Sequence, residues 1–315
     1  MPVDTKRIAG PESSTPYRLY SVKNVKTFEQ LRADVLSEDN LRKDKRKLND
    51  LRDIFGRLGV VTQAKGSAYV EMGNTKVVAT VFEPREIPKQ TEFSYNGELF
   101  VELKYAPFSC TNRSGLQPGS EERELASSVK SALEPTVLRH LLENFQVDIF
   151  VYILENDGSV LSTAINAAGL ALADAEIPVY DIITAVTVGI QGDQLFIDPT
   201  AAEETYCLQG SGQGRDKETD HGVVMLAQLP VLEQIAEFWQ HGALTLEKTL
   251  SMVDTIKPSC DILYADIQSI LMDKLDNPFK ALNFPLPISF SHYLQHHHTQ
   301  IGDAISSTGS GFLGF

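Results

Sequence analysis

The stretch ENDGSVLSTAINAAGLALADA, residues 155–175, decides much of the fold, because it places a short polar turn before a helix of mostly small residues. A Gly-Ser turn that opens a helix leaves backbone N–H groups unpaired, and such groups can hold an anion. The positions where a phosphate-binding cation is expected hold Val160 and Leu161 instead. The alanines of the helix let it approach a sheet or a neighbouring subunit closely. The stretch therefore predicts the shape of an anion site without its charge.

The composition is that of a folded acidic protein: 315 residues, 42% of them hydrophobic, with a formal net charge of −14. No apolar run reaches membrane-spanning length, and the N-terminus lacks the apolar stretch of a signal peptide. Three widely separated cysteines, Cys110, Cys207 and Cys260, are typical of a reducing compartment. The negative charge argues against strong independent binding of nucleic acid, which needs a basic face. It fits an acidic member of an assembly whose other members carry positive charge.

Strand and helix signals alternate between residues 50 and 275. Short β-branched runs predict strands at 58–64, 66–73, 75–84, 97–108, 147–154, 178–190, 193–200, 222–230 and 234–242. Helical patterns cover 121–145, interrupted by Pro135, then 161–175, and 245–276 with a breaker at Pro258. The mixed charges of residues 27–55 predict a solvated face or a partner surface.

The domain organisation follows from the lack of a linker rich in proline and glycine among these elements. We expect a single α+β domain at 44–280, with helices packed on sheet in two layers. An N-terminal extension (1–43) and a C-terminal tail (281–315) are expected to be flexible.

Several segments together resemble the RNase PH family. KGSAYVEMGNTKVVATVFEPRE (65–86) is similar to the early hairpin of that family. The segments that follow in the family's order and spacing are KYAPFS (104–109), ALEPTV (132–137), AAGLALADAEIPVYD (167–181), DPTAAEE (198–204) at the place of the acidic loop, and MLAQLPVLEQIAEFWQHGALT (225–245). The resemblance covers roughly residues 44–275. It implies an RNase PH-like two-layer βα fold, like the second domain of a small-ribosomal-subunit protein, and assembly into six-membered rings that thread RNA.

The resemblance also assigns a degenerate phosphorolytic site. Phosphorolysis brings inorganic phosphate to an RNA phosphodiester, so it needs fixed positive charge and a proton donor. Gly158 and Ser159 match the first two members of the family's Gly-Ser/Thr-Arg turn, but the arginine position holds Val160 or Leu161. Asp198 and Glu204 match the family's acidic pair, which could act as general acid or hold a metal. We expect Ser159, Asp198 and Glu204 to be remnants that serve as turn, helix cap and solvated charge.

Contact with RNA is a separate expectation. The resemblance places Lys104, Arg113 and Arg123 near RNA-facing positions, but Glu121 and Glu122 stand where the family is more basic, so the contact should be weak. A metal site at His296, His297 and His298 is not expected, because consecutive residues cannot easily converge on one ion. Trp239 is predicted to be a core residue.

Among family members, the motifs EERELA (121–126), DGSVL (157–161) and DPTAAEE most closely resemble a non-catalytic ring subunit of the RNA exosome. We therefore expect a non-enzymatic scaffold, without cofactor or metal, in a hetero-hexameric ring of RNase PH-like subunits. Cap proteins with RNA-binding domains, associated catalytic ribonucleases and RNA in the channel are the implied partners. Nucleus, nucleolus and cytoplasm are the implied compartments. The alternatives are an active phosphorolytic exoribonuclease that uses Asp198 and Glu204, and a free RNA-binding protein.

Overall fold

The computed structural model describes residues 28–36, 42–87, 93–110, 119–209 and 220–276. Residues up to Met272 belong to one compact unit and those from Asp273 onward to a second. The predicted C-terminal tail lies outside the described residues, as does most of the predicted N-terminal extension. The first unit is an α+β structure with helices against two sheets, as the sequence predicts.

The first sheet contains strands β1 (Ile54–Leu58), β2 (Gly66–Met72), β3 (Thr75–Val81), β4 (Arg85–Glu86), β5 (Glu98–Tyr105) and β6 (Phe145–Glu155). Strands β1, β2 and β3 form an antiparallel meander, and β3 pairs antiparallel with β6. Strand β5 pairs parallel with β6, and helix α2 (Ser120–Leu133) makes the crossover between them. The short β4 pairs with the start of β6 on the edge opposite β5. Strand β6 therefore lies at the centre of this sheet.

The second sheet is wholly antiparallel, in the order β10-β9-β7-β8. Its strands are β7 (Thr184–Gln191), β8 (Gln194–Ile197), β9 (His221–Leu229) and β10 (Gln234–Ala243). Helix α4 (Ala201–Leu208) follows β8 and packs against helix α1 (Phe28–Val35). Side chains from both helices join Phe196 and Val223 in a small core beside the main one. The long helix α5 (Leu246–Asp276) adds Met252, Ile256 and Cys260 to the main core.

Helix α3 (Val160–Asp174) lies at the centre of the main core and contacts strands of both sheets. A Cβ on Gly66 of β2 would stand 2.5 Å from the Ala171 carbonyl oxygen, and one on Gly169 would stand 2.6 Å from Ile183 Cγ2. These distances are far below van der Waals contact, so only glycine permits such close approach. The close packing predicted from the alanines is confirmed. The helix packs against the chain's own sheets, since five of its alanines are completely buried here: Ala164, Ala167, Ala168, Ala171 and the C-cap residue Ala175.

Three predictions about local structure are wrong. The strand expected at 58–64 lies earlier, at Ile54–Leu58, because Gly59 turns the chain with φ +67°. Helix α5 runs through Pro258 without a break, at the cost of one backbone hydrogen bond. The acidic segment 198–204 is not simply a loop, since helix α4 begins at Ala201. By contrast, the predicted interruption at Pro135 is confirmed, because α2 ends at Leu133.

The prediction of a solvated face at 27–55 is wrong for two arginines. Arg42 is 1% exposed, donates hydrogen bonds to the carbonyl oxygens of Leu48 and Ile197, and lies over the ring of Phe196. Arg52 is likewise buried and reaches the turn before α3. The mixed charge pattern did not distinguish these buried cations from their solvated neighbours.

Candidate functional site at the turn before helix α3

The turn before α3 has a left-handed backbone that the Gly-Ser pair provides. Gly158 has φ +84° and Ser159 has φ +53°. A Cβ on Gly158 would stand 2.5 Å from the Pro199 carbonyl oxygen and 2.6 Å from the Ala201 nitrogen. The turn therefore lies directly on the segment that leads into α4, which brings Ser159, Asp198 and Glu204 together as the sequence resemblance implies.

Three hydrogen-bond donors of this turn are bound within the chain. The Gly158 amide donates to Asn156 Oδ1 at 3.0 Å, and the Ser159 hydroxyl donates to the Pro199 carbonyl at 2.9 Å. The Ser159 amide donates to Glu204 Oε1 at 2.7 Å. A carboxylate of the chain itself thus occupies the amide at the helix N-terminus, where an anionic ligand would otherwise be favoured.

Asp198 is held from behind the turn by Arg52, a residue that the sequence analysis did not assign to the site. Arg52 Nε and Nη2 each donate to one Asp198 carboxylate oxygen at 2.7 Å, and its amide donates to Oδ2 at 3.1 Å. The same guanidinium donates to the carbonyl oxygens of Asp157 and Gly158. Burial opposes ionisation of Asp198, but the hydrogen bonds and charge of Arg52 outweigh it and hold the pKa of Asp198 below its usual value. Both partners are almost fully buried, with side-chain exposures of 5% for Arg52 and 1% for Asp198.

Glu204 lies on α4, one residue after the glutamate that caps that helix. Glu203 accepts a hydrogen bond from the Thr200 amide in a capping box, whereas Glu204 turns toward Ser159. The pKa of Glu204 is raised to about 7, mainly by burial and in part by the nearby Asp198, while the Ser159 amide and Arg52 act in the opposite direction. Glu204 therefore titrates near neutral pH, unlike an ordinary surface glutamate.

A cavity of about 350 Å³ opens in front of the turn. Ser159, Val160, Leu161 and Glu204 line it, together with Tyr105, Glu121, Glu124, Leu125, Asn156, Thr187, Leu208, Val223, Met225, Trp239 and His241. Among the lining residues that the structure describes, none is a lysine or an arginine. Trp239, predicted as core, is instead half-buried in the cavity wall and stacks on His241 with ring centroids 6.0 Å apart.

Of the predicted RNA-contacting residues, the two that the structure describes, Lys104 and Arg123, do not line the cavity. Lys104 precedes the cavity residue Tyr105 on β5, so its side chain lies on the opposite face of the sheet. Arg123 is exposed on α2 and lines a separate groove beside β5, together with Lys130. Arg113 lies outside the described residues. The structure thus brings the acidic members of the predicted site together without the two basic ones that it describes.

The described residues contain no group of three or more His, Cys, Asp or Glu side chains arranged to hold a metal ion. His296, His297 and His298 lie outside this part of the chain. Within it, no helix combines the length and the apolar character that crossing a membrane requires.

Comparison with known proteins identifies the relatives of this fold. Residues 50–178 match the RNase PH model, described as the 3' exoribonuclease family, domain 1. The chain is 31% identical over 290 residues to "Exosome complex component MTR3" of Homo sapiens, which covers 86% of this chain and 96% of the relative. It is also 31% identical over 242 residues to "Exosome complex component RRP41 homolog" of Arabidopsis thaliana, covering 76% and 95% respectively. The Archaeoglobus fulgidus exosome with RNA bound to the active site has a similar fold, with a TM-score of 0.63, 22% identity, and coverage of 76% of this chain and 98% of that one.

Proposed function

The chain belongs to the RNase PH family, and on that premise we propose that it is a non-catalytic subunit of the RNA exosome core ring. In this role it shapes the channel for 3'-to-5' RNA processing and degradation, while other subunits or associated ribonucleases supply the activity. Its similarity to exosome components over nearly their whole length supports ring membership. The MTR3 relative and the RRP41 homolog described above are both 31% identical to the chain, so the proposal that the subunit is non-catalytic depends on the residues of the site.

The absence of lysine and arginine from the described cavity lining is the observation that carries the proposal. Phosphorolysis must hold one anion against another, which requires cations in front of the turn. The guanidinium of Arg52 contacts this turn from behind, with Nε and Nη2 both donating to Asp198. Loss of one charged contact to a transition state costs about 2–4 kcal/mol, or a hundred- to thousandfold in rate.

An active phosphorolytic exoribonuclease is the second candidate, and one observation favours it. The pKa of Glu204, near 7, suits a general acid at neutral pH. Against this candidate, Asp198 does not line the cavity and has both oxygens bound to Arg52. A neighbouring subunit would have to supply the cations for phosphate.

The direct test incubates the purified full chain with RNA, magnesium and inorganic phosphate, and measures release of nucleoside diphosphates. A phosphorolytic RNase PH enzyme assayed in parallel provides the positive control. We expect release no faster than in the protein-free reaction. Release at a rate comparable to the positive control would overturn the non-catalytic assignment.

A second test addresses cations supplied by a neighbour, and it requires the reconstituted ring. Glu204→Gln removes the titrating group but keeps an oxygen that can accept the Ser159 amide. This substitution is preferable to a change at Asp198, which would leave Arg52 buried without its partner. We expect the ring with Glu204→Gln to degrade RNA as fast as the unmodified ring. A tenfold or greater loss would support the enzymatic alternative.

We further propose that the outer face of the first sheet contacts a neighbouring RNase PH-like subunit. Phe82, Phe100, Phe150 and Tyr152 form an aromatic face there, with ring centroids 5.6 Å apart for Phe82–Phe150 and 6.2 Å for Phe100–Phe150. Phe100 is 44% exposed and Tyr152 38% exposed, while helices α2 and α3 pack on the opposite face. Exposed aromatic side chains grouped in this way are typical of a protein–protein interface.

Phe100→Glu tests this contact. It should abolish co-purification with RNase PH-like ring partners, because a charge would replace an aromatic side chain at the interface. Ile262→Glu provides a matched control, since Ile262 is also exposed but lies on α5. If assembly is unaffected by Phe100→Glu, or equally impaired by both substitutions, the aromatic face is not the contact with the neighbouring subunit.

RNA contact through Lys104, Arg113 and Arg123 remains a proposal that derives from the family resemblance. Glu121 and Glu124 lie on the same helix as Arg123, and their charge opposes a phosphate backbone. We therefore propose weak contact that matters only within the assembled ring, together with cap proteins and catalytic ribonucleases. Nucleus, nucleolus and cytoplasm are the proposed compartments, and tagged protein followed in cells tests them.

A further inference from the structure

The cavity in front of the α3 turn carries negative charge that none of its described lining residues neutralises. Glu121 and Glu124 lie at its edge, exposed on α2, and Glu204 lies deeper, on α4. The described lining residues contribute no lysine or arginine. Its volume of about 350 Å³ lies within the range of sites that hold small ligands. The cavity therefore combines a ligand-sized space with unbalanced charge.

The neighbouring glutamates show that this charge is specific to the cavity. Glu122 lies between Glu121 and Arg123 and is buried, with its two oxygens accepting the amides of Tyr105 and Gly119. Glu203 caps α4. Glu121 and Glu124 instead have no hydrogen bond or ion pair within the described residues. Glu121 and Glu124 thus differ from Glu122 and Glu203, whose carboxylates hold backbone amides of the fold.

Glu204 provides a second and independent indication of a ligand. Its Oε1 accepts the Ser159 amide at 2.7 Å, while its Oε2 has no hydrogen-bond partner in the described parts of the chain. Burial already disfavours the ionised form of this side chain, as its raised pKa indicates. A carboxylate oxygen that lines a cavity and has no partner among the described residues can accept a charge-assisted hydrogen bond from another molecule.

The aromatic wall narrows the choice of ligand. Trp239 is half-buried, stacks nearly parallel to His241, and shares the cavity with Leu125 and Met225. The face of an indole attracts a cation, and a planar guanidinium can stack on it while its N–H groups donate to carboxylates. An ammonium group lacks this planar fork. A phosphate would meet three carboxylates with no compensating cation from the described lining.

We propose that this cavity binds the guanidinium of an arginine side chain from a protein partner, stacked on Trp239 and paired with Glu121, Glu124 and Glu204. The proposed ligand is thus a cation, whereas the shape of the turn suggests an anion. This inference rests on the proposed loss of phosphate binding at the same site, and it adds a partner to the scaffold role. An acidic, partly apolar pocket of this kind would orient the guanidinium as well as attract it, because Trp239 offers a ring face and the carboxylates offer acceptors.

Binding can be measured through intrinsic fluorescence, because Trp239 is the single tryptophan of the chain. The full chain is titrated with N-acetyl-arginine methylamide, with the citrulline analogue as a neutral probe of the same shape, and separately with inorganic phosphate. We expect a saturable change with the arginine probe in the millimolar range, and none with the citrulline probe or phosphate. Equal responses to arginine and citrulline, or no response to arginine, would overturn the proposal.

Charge variants locate the binding. Glu204→Gln and the double variant Glu121→Gln/Glu124→Gln should each lower the affinity for the arginine probe about fivefold to tenfold, because each removes charge-assisted hydrogen bonds. Glu98→Gln removes one charge from an exposed site at the start of β5 and serves as the control. A comparable loss of affinity in the control would mean that general electrostatic attraction explains the binding, and it would overturn the cavity assignment.

The outcomes also separate this inference from the proposed function. Saturable phosphate binding that Glu204→Gln changes would count against both, because it would restore the first requirement of phosphorolysis. Failure of both probes to bind would overturn the arginine site and leave the non-catalytic scaffold intact. Arginine binding accompanied by release of nucleoside diphosphates would support the site and overturn the scaffold assignment.

Discussion

Charged side chains have different surroundings on the two sides of the α3 turn. Behind the turn, Arg52 and Asp198 are almost fully buried and form two hydrogen bonds of 2.7 Å with each other. In front of it, Glu121, Glu124 and Glu204 face a cavity without a described cation. A buried charge must be paired for the chain to fold, whereas a charge at an open cavity can remain unpaired. The comparison therefore separates charge that maintains the fold from charge available to a ligand.

This difference also explains how the turn keeps its shape without holding phosphate. The carbonyl oxygens of Asp157 and Gly158 accept hydrogen bonds from Arg52, so the guanidinium fixes the turn from within. The Ser159 amide, at the front, is occupied by Glu204. The geometry of an anion site is thus stabilised by contacts that do not require an anion.

Removal of the buried cation should have the largest effect on stability. Arg52→Met leaves Asp198 buried and unpaired, and we expect a loss of about 3–5 kcal/mol in the free energy of unfolding. Urea denaturation of the full chain measures this change. The control is Lys76→Met, which breaks the exposed ion pair with Glu155 and should cost no more than about 1 kcal/mol. Equal losses in the two variants would show that the Arg52–Asp198 pair does not maintain the fold.

The close contact between the turn and the α4 segment should have the next largest effect. Gly158→Ala places a methyl group 2.5 Å from the Pro199 carbonyl oxygen in a left-handed backbone, and we expect a loss of about 2–4 kcal/mol. Gly192→Ala is a matched control, because Gly192 also has a positive φ, of +63°, but open space around it. We expect about 1 kcal/mol there. Thermal unfolding of both variants checks the difference, and similar losses would attribute the effect to backbone conformation alone.

The contrast between the two sides of the turn also limits what could be predicted from sequence. Local patterns located α3 correctly, since its small residues and Gly-Ser turn are contiguous in the chain. The pairing of Arg52 with Asp198 joins residues 146 positions apart, and no local pattern indicates which of many charged residues will be buried. The resemblance to the RNase PH family brought Ser159, Asp198 and Glu204 together correctly, because it carries information about tertiary structure.

Two other errors have the same physical origin. Helix α4 was missed because its short sequence contains two acids after a proline, although the capping box formed by Thr200 and Glu203 was a readable signal. Trp239 was assigned to the core because strand β10 is rich in apolar residues, but β10 lies at the end of the strand order in its sheet. Burial on such a strand depends on what packs over it, which the sequence does not state.

Titration of Glu204 should have an intermediate effect that depends on pH. Its folded-state pKa of about 7 lies above its ordinary value, so the folded protein binds this proton more tightly than the unfolded chain does. The contribution of Glu204 to stability is therefore greatest below its ordinary pKa and falls as the pH rises toward about 7. Glu204→Gln should remove this dependence, so the variant gains about 1–2 kcal/mol over the unmodified protein between about pH 5 and about pH 8. Urea denaturation across this range measures the gain, and parallel stability curves for the two proteins would contradict it.

The smallest effect should come from the acids at the cavity edge, and it sharpens the comparison most directly. Glu121 and Glu124 are exposed and have no partner in the described residues, so the double variant Glu121→Gln/Glu124→Gln removes no contact that folding needs. We expect a change within about 0.5 kcal/mol, because relief of the repulsion between the two carboxylates is opposed by loss of the favourable interaction of Glu121 with the N-terminus of α2. Urea denaturation at low and high salt measures it. A loss above about 1 kcal/mol would mean that these carboxylates support the fold as Asp198 does, and the division between fold charge and ligand charge would no longer hold.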